Sequence, residues 1–182
     1  MKLLNKLIEQ QIPVNWKTLW LGWLGPHNYS RLITLEEITC YVSNLIQIGK
    51  QFDDDVIYLA GVGQDEEEKV DQLLQDLAYE ENTDDIFENR KWRWVLLTSI
   101  FDKLPDDPLY GVMELTEFWN IWENPIDSPM IDFYKNEFDP KILYSKEKYK
   151  NLRSNTQDWI LKEKQRLVYK HSQSDFTDNR AD

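Results

Sequence analysis

The residues that could carry chemistry are few: one cysteine, Cys40, two histidines, His27 and His171, and thirty-three carboxylates gathered largely in runs. Asp53-Asp54-Asp55 and Asp65-Glu66-Glu67-Glu68 could be taken for metal loops, but they lack the alternating ligand spacing and central glycine of a calcium-binding loop. A di-iron helical site needs Glu-x-x-His pairs, and the sequence has none. No Gly-x-Ser-x-Gly elbow, His-Glu-x-x-His helix or phosphate-cradling glycine loop occurs. Gly61-Val62-Gly63 lacks both the third glycine and the preceding strand of a dinucleotide site. His27 falls in the loop Gly25-Pro26-His27-Asn28, and Cys40 suits a helix face as a small hydrophobe. Catalytic residues, metal and cofactor are therefore all expected to be none.

Charge points to partners instead. The net charge is −12. Residues 53–88 hold fourteen Asp or Glu against one Lys, a balance of −13, and residues 105–140 hold nine against one, or −8. Residues 141–172 reverse the sign, with nine Lys or Arg against three acids, or +6. An acidic body disfavours nucleic acid, because phosphate contacts need a basic surface. The plain interpretation of the acidic belt is a solvated face. The sharper one is a docking surface for a basic protein, in which Asp65, Glu66, Glu67, Asp71 and Asp76 make the contact. Trp20, Trp23, His27 and Tyr29 form a second candidate, an aromatic pocket.

The elements that must position these residues are helical. A hydrophobic content of 41% with eight Trp promises a packed core, and only six Gly and seven Pro argue against a turn-rich β fold. The expectation is an all-α domain of six to eight helices around a buried central helix at 87–104, where the run Trp92 to Phe101 is apolar nearly all round. Arg93, between Trp92 and Trp94, should stack on an aromatic ring or pair with an acid at the core edge. Trp16, Leu19, Trp20 and Trp23 recur at helical spacing and stop at Gly25-Pro26. Thr34 and Glu37 make a capping box for a helix at 35–48. Val70, Leu73, Leu74 and Leu77 form the seam of an acidic helix. Asp107-Pro108 and Ser128-Pro129 start two more.

The expected core includes Trp20, Trp92, Leu96, Ile100 and Trp119. Residues 1–140 are read as the helical core domain, 141–171 as a basic C-terminal helix with a thin apolar stripe, and 172–182 as a frayed tail. No stretch reaches the length and apolarity of a membrane span. The N-terminal residues lack the pattern of a secretion signal, and one unpaired Cys fits a reducing compartment, so a cytoplasmic protein is expected.

Three segments, Val14-Asn15-Trp16-Lys17-Thr18-Leu19-Trp20-Leu21-Gly22-Trp23, Leu32-Ile33-Thr34-Leu35-Glu36-Glu37-Ile38 and Lys91-Trp92-Arg93-Trp94-Val95-Leu96-Leu97, carry a resemblance. With Asp107-Pro108-Leu109 and Phe118-Trp119, they resemble a bacterial domain of unknown function that occurs in small acidic cytoplasmic proteins of Bacillus-like bacteria. The resemblance spans roughly residues 12–135. Its motifs are Trp, Gly and apolar positions, so it implies a fold and supplies no catalytic residues. By company it implies an immunity-type protein that neutralises a toxin. Three functions stay open on the sequence: a binding protein that meets a basic partner through the acidic belt, a structural or adaptor module working through the basic helix, and, ranked last, an enzyme with a pocket around His27, Trp23 and Tyr29. The oligomeric state is unknown from sequence.

Overall fold

The computed structural model describes residues 2–49, 52–81, 83–135 and 139–178, with the side chains of Gln64 and residues 170–178 left aside. Among the described residues the chain is all helical, with ten α-helices rather than six to eight. The count includes four short helices of four to eight residues. A four-residue helix at Pro140–Leu143, for example, is started by the Asp139 side chain on the Lys141 N–H. No helix among the described residues is long and apolar enough to cross a membrane.

Backbone contacts divide the chain into two compact units, residues 1–92 and 93–182. In the first unit the order is α1 (Leu3–Glu9), α2 (Trp16–Leu24), α3 (Leu35–Gln47), α4 (Asp54–Gly61), a 3₁₀ turn (Gln64–Glu66), α5 (Glu67–Glu80) and the opening of α6 (Asp85–Phe101). The second unit takes up α6 from Arg93 and continues through α7 (Pro108–Ile121), α8 (Pro129–Tyr134), α9 (Pro140–Leu143) and α10 (Lys146–Asp178). The stretch 141–171 is covered largely by α9 and α10 and lies wholly inside the second unit. His171 and the expected tail at 172–182 fall where side chains, and from residue 179 the backbone too, lie outside the described residues.

Local chemistry explains the helix starts. Asn15 caps α2, its side chain accepting from the Thr18 N–H while Thr18 reaches back to the Asn15 N–H, a reciprocal box that satisfies two otherwise orphaned donors. Thr34 and Glu37 do the same for α3. Asp107 and Ser128 cap α7 and α8, each followed by proline in the first turn, where a missing N–H costs nothing. Gly25 ends α2 at φ 87°, and a Cβ there would meet the Tyr29 carbonyl at 2.3 Å.

In the first unit α2 packs against α5 and α3 against α4. The α2–α5 pair is antiparallel: the Lys17 N–H meets Glu81, Trp20 meets Tyr79, and Trp23 meets Asp71. Trp92 closes the unit by lying directly on Gly22, where a Cβ would come within 2.2 Å of the indole, and its Nε1–H donates to the Thr18 carbonyl at 2.9 Å. Trp92 is fully buried as expected, whereas Trp20, Leu96 and Ile100 are only half-buried.

In the second unit α10 packs on α7, α8 and α9. Gly111 lets the Tyr149 ring approach α7, since a Cβ would sit 2.0 Å from its hydroxyl. Trp119 is fully buried and meets Trp159 edge to face at 5.0 Å. The α10 stripe contains Tyr149, Leu152, Trp159, Ile160 and Leu167 as expected, and also buries Thr156 and Glu163.

Candidate functional site

The acidic belt is built on α4, the 3₁₀ turn, α5 and the opening of α6. Of the fourteen carboxylates in 53–88, eleven are exposed, Asp71 and Glu81 are half-buried, and Glu88 is buried. Several exposed acids are already engaged inside the unit in a repeating arrangement of a cation, an aromatic ring and a carboxylate. Arg31 lies over the Trp23 ring at 3.7 Å and pairs with Glu67 at 2.5 Å, while the Trp23 Nε1–H donates to Asp71. Lys69 lies 3.5 Å over Tyr58, whose hydroxyl donates to Glu66. Lys17 stands 5.0 Å from Trp20 and 5.4 Å from Tyr79, and pairs with Asp85 at 2.8 Å.

The five acids of the proposed belt thus have different settings. The Tyr58 hydroxyl and then the Gly63 N–H hold the Glu66 carboxyl below its ordinary range. Glu67 and Asp71 converge on Trp23 and Arg31. Asp76 accepts from Gln72 at 2.9 Å one turn away, and Asp65 is exposed in the 3₁₀ turn. Of the aromatic candidates, Trp23 is buried, Trp20 and Tyr29 are half-buried, and His27 is exposed at φ 52°. Trp23 therefore joins two of the belt acids, and Trp20 belongs with Lys17 and Tyr79.

Behind the belt lies a buried polar cluster that sequence reasoning missed. Lys91 and Glu88 pair at 2.5 Å with both side chains 2% exposed. The Thr18 hydroxyl lies 2.5 Å from Glu88, 3.2 Å from the Lys91 ammonium and 2.6 Å from Asn15 Oδ1. Burial holds the Lys91 ammonium below its ordinary range, against the pull of Glu88. Glu81 receives the Lys17 N–H at 2.9 Å and that of Trp16, so a carboxylate sits at the positive end of α2. Burial nevertheless pushes the Glu81 carboxyl up. The same burial, with Glu81 nearby, pushes the Tyr41 phenol up to about 12, and its hydroxyl donates to the Val14 carbonyl at 2.9 Å. The i, i+3 spacing of Glu88 and Lys91 was visible, but a helical pair of opposite charge is ordinarily a surface feature.

The second unit holds a cleft of about 390 Å³ between the α7–α8 connection and α10, walled by Ile126, Asp127, Ser128, Pro129, Ile131, Asp132, Asn155, Asp158, Trp159, Lys162 and Arg166. None of Trp20, Trp23, His27 and Tyr29 lines it. Asp127 organises its floor, taking the Trp159 Nε1–H at 3.2 Å and facing Arg93 at 3.8 Å and Arg166 at 4.0 Å. Arg93 also stands 5.2 Å from the Trp159 ring and 5.7 Å from Trp119, so it both stacks and pairs. Among the described residues no group of three His, Cys, Asp or Glu could hold a metal ion.

A family model described as "uncharacterized protein conserved in bacteria (DUF2247)" matches residues 4–164. The chain belongs to this family. The match reaches beyond the 12–135 stretch that carries the resemblance, taking in α1 and much of the basic α10. Comparisons with curated proteins and with solved structures find no match.

Proposed function

We propose that the chain is a non-catalytic binding protein whose acidic surface in the first unit docks a basic protein. The observation that carries this is the exposure of eleven of the fourteen carboxylates in 53–88, in a stretch with a single lysine. Local pairing accounts for Glu66, Glu67, Asp71 and Asp85. Asp65, Glu68, Asp76 and Glu80 present their charge outward on the 3₁₀ turn and α5. Like charges at this density repel one another, and a basic partner relieves that repulsion while the opposed fields speed encounter. A basic toxin neutralised by its immunity protein is one pairing with this chemistry. The rival adaptor reading had a second chain completing the α10 stripe, but that stripe is already buried within the chain.

The test is affinity capture from a bacterial lysate at low salt, followed by kinetics with the captured protein across a salt series. Association should slow on the order of tenfold as the Debye length shrinks to about 8 Å at physiological salt. The triple variant Asp65→Lys, Glu68→Lys, Asp76→Lys should slow it further while the fold stays intact. A partner captured equally well by wild type and variant at every salt concentration leaves the belt a solvated face.

A further inference from the structure

Within that docking reading, on which this inference rests, one place on the surface has a specific chemistry. Tyr79 is 68% exposed although it belongs to the tilted Trp20–Tyr79 pair, with ring centroids 5.9 Å apart. Asp76 stands one helical turn before it on the same face of α5 and is exposed. Asp85, also exposed, is tied to Lys17 beside the two rings. An aromatic face among carboxylates suits a planar cation: the ring quadrupole attracts it and the carboxylates take its fork of N–H donors. The first unit realises this chemistry with its own arginine, where Arg31 lies over the Trp23 ring and pairs with Glu67 on the same α5.

We propose that Tyr79, with Asp76 on the same helix face, is an anchor site on the acidic surface that takes an arginine side chain of the basic partner in preference to lysine. Lysine is a compact, strongly hydrated point charge. Guanidinium is weakly hydrated, stacks on a ring and pairs with carboxylate through two parallel bonds. The anchor adds selectivity to a surface whose remaining carboxylates act mainly at long range. Its exposure leaves it available to a partner, and its substitution does not open the core.

The experiment uses the full chain with two defined probes, acetylated nona-arginine and nona-lysine, titrated calorimetrically at low and physiological salt. Wild type should bind nona-arginine about three- to tenfold more tightly than nona-lysine, the range expected for one partly desolvated cation–π contact. Tyr79→Ala should lose most of that preference while keeping its affinity for nona-lysine. Tyr79→Phe, which keeps the ring, should retain the preference. Equal affinities for the two peptides, or a preference that Tyr79→Ala leaves intact, overturn the anchor while the acidic docking surface stands. Failure of both peptides to bind at low salt overturns the anchor and the docking reading together.

Discussion

Lys91→Met tests the buried cluster most directly. The substitution keeps the length and apolar stem of the side chain and removes the ammonium. In the wild type the ammonium lies 2.5 Å from Glu88 and 3.2 Å from the Thr18 hydroxyl, with both charged side chains 2% exposed. Without it, the Glu88 carboxylate keeps the Thr18 hydroxyl as a donor but has no counter-ion and almost no water. Removing one partner of a buried pair costs about 3–5 kcal/mol, because the remaining charge is uncompensated. Against a total stability of about 5–15 kcal/mol, that is enough to shift a urea midpoint by a large fraction of its value. Glu88→Leu should cost less, since the stranded Lys91 amine is already biased by burial toward its neutral form. The double variant Lys91→Met/Glu88→Leu should recover most of the loss, because an apolar pair of similar volume can replace a buried ion pair at little net cost. Urea titrations of the four proteins close the cycle. A coupling energy under about 1 kcal/mol, or a Lys91→Met loss that small, refutes the reasoning and makes the cluster water-screened.

The pH dependence carries its own sign. Because the Lys91 ammonium is held below its ordinary 10.5, the fold binds fewer protons there than the unfolded chain. That penalty is complete below the folded value and is relieved as pH climbs toward 10.5. The deficit of Lys91→Met relative to wild type should therefore widen in mild alkali, and a deficit that narrows contradicts the direction.

Three further outcomes follow from the same structure. Gly22→Ala places a methyl 2.2 Å from the Trp92 ring, so overpacking should lower stability by about 1–3 kcal/mol; an unchanged melting temperature refutes the contact. Glu81 is held above its ordinary 4.5, so its contribution is fully present below that value and is lost as pH rises through the folded value. Stability of Glu81→Gln relative to wild type should accordingly rise from acid toward neutral pH, and paired denaturation curves across that window that stay parallel count against it. Arg93→Ala should lower the melting temperature through loss of the Asp127 pairing and the stack on Trp159, with a cation–π share of about 0.5–2 kcal/mol; thermal denaturation followed by tryptophan emission reads it.

What could be read from sequence was the chemistry that acts within one turn. The Thr34–Glu37 box, Asp107-Pro108, Ser128-Pro129 and the stop at Gly25-Pro26 each involve residues close in the chain, and each stands where the spacing put it. Arg93 was legible because two flanking indoles on one helix leave a guanidinium few choices beyond stacking or pairing. Lys17, Thr18, Glu88 and Lys91 were illegible for the opposite reason. A lysine or glutamate on a helix is assigned to water unless a partner is known, and Thr18 meets Glu88 and Lys91 across 70 and 73 residues. The same limit applies to Gly22, whose role appears only once Trp92, 70 positions later, is laid against it.

The buried cluster and the acidic surface are physically linked through α2 and α5. Glu81, just past the end of α5, receives the first N–H groups of α2, and Lys17 of α2 spans from Asp85 to the Trp20–Tyr79 pair. A surface rich in like charge tends to push its own elements apart. In this unit that tendency is opposed by cations held close to the carboxylates: Lys17 and Lys91 are both buried, and the exposed Arg31 and Lys69 lie over rings within the belt. The aromatic residues of α2, α4 and α5 thus serve as seats for the counter-charges. This accounts for Trp20 and Tyr79 remaining partly exposed where a simple core stripe would bury them: their rings face Lys17 on one side of the balance and open water on the other.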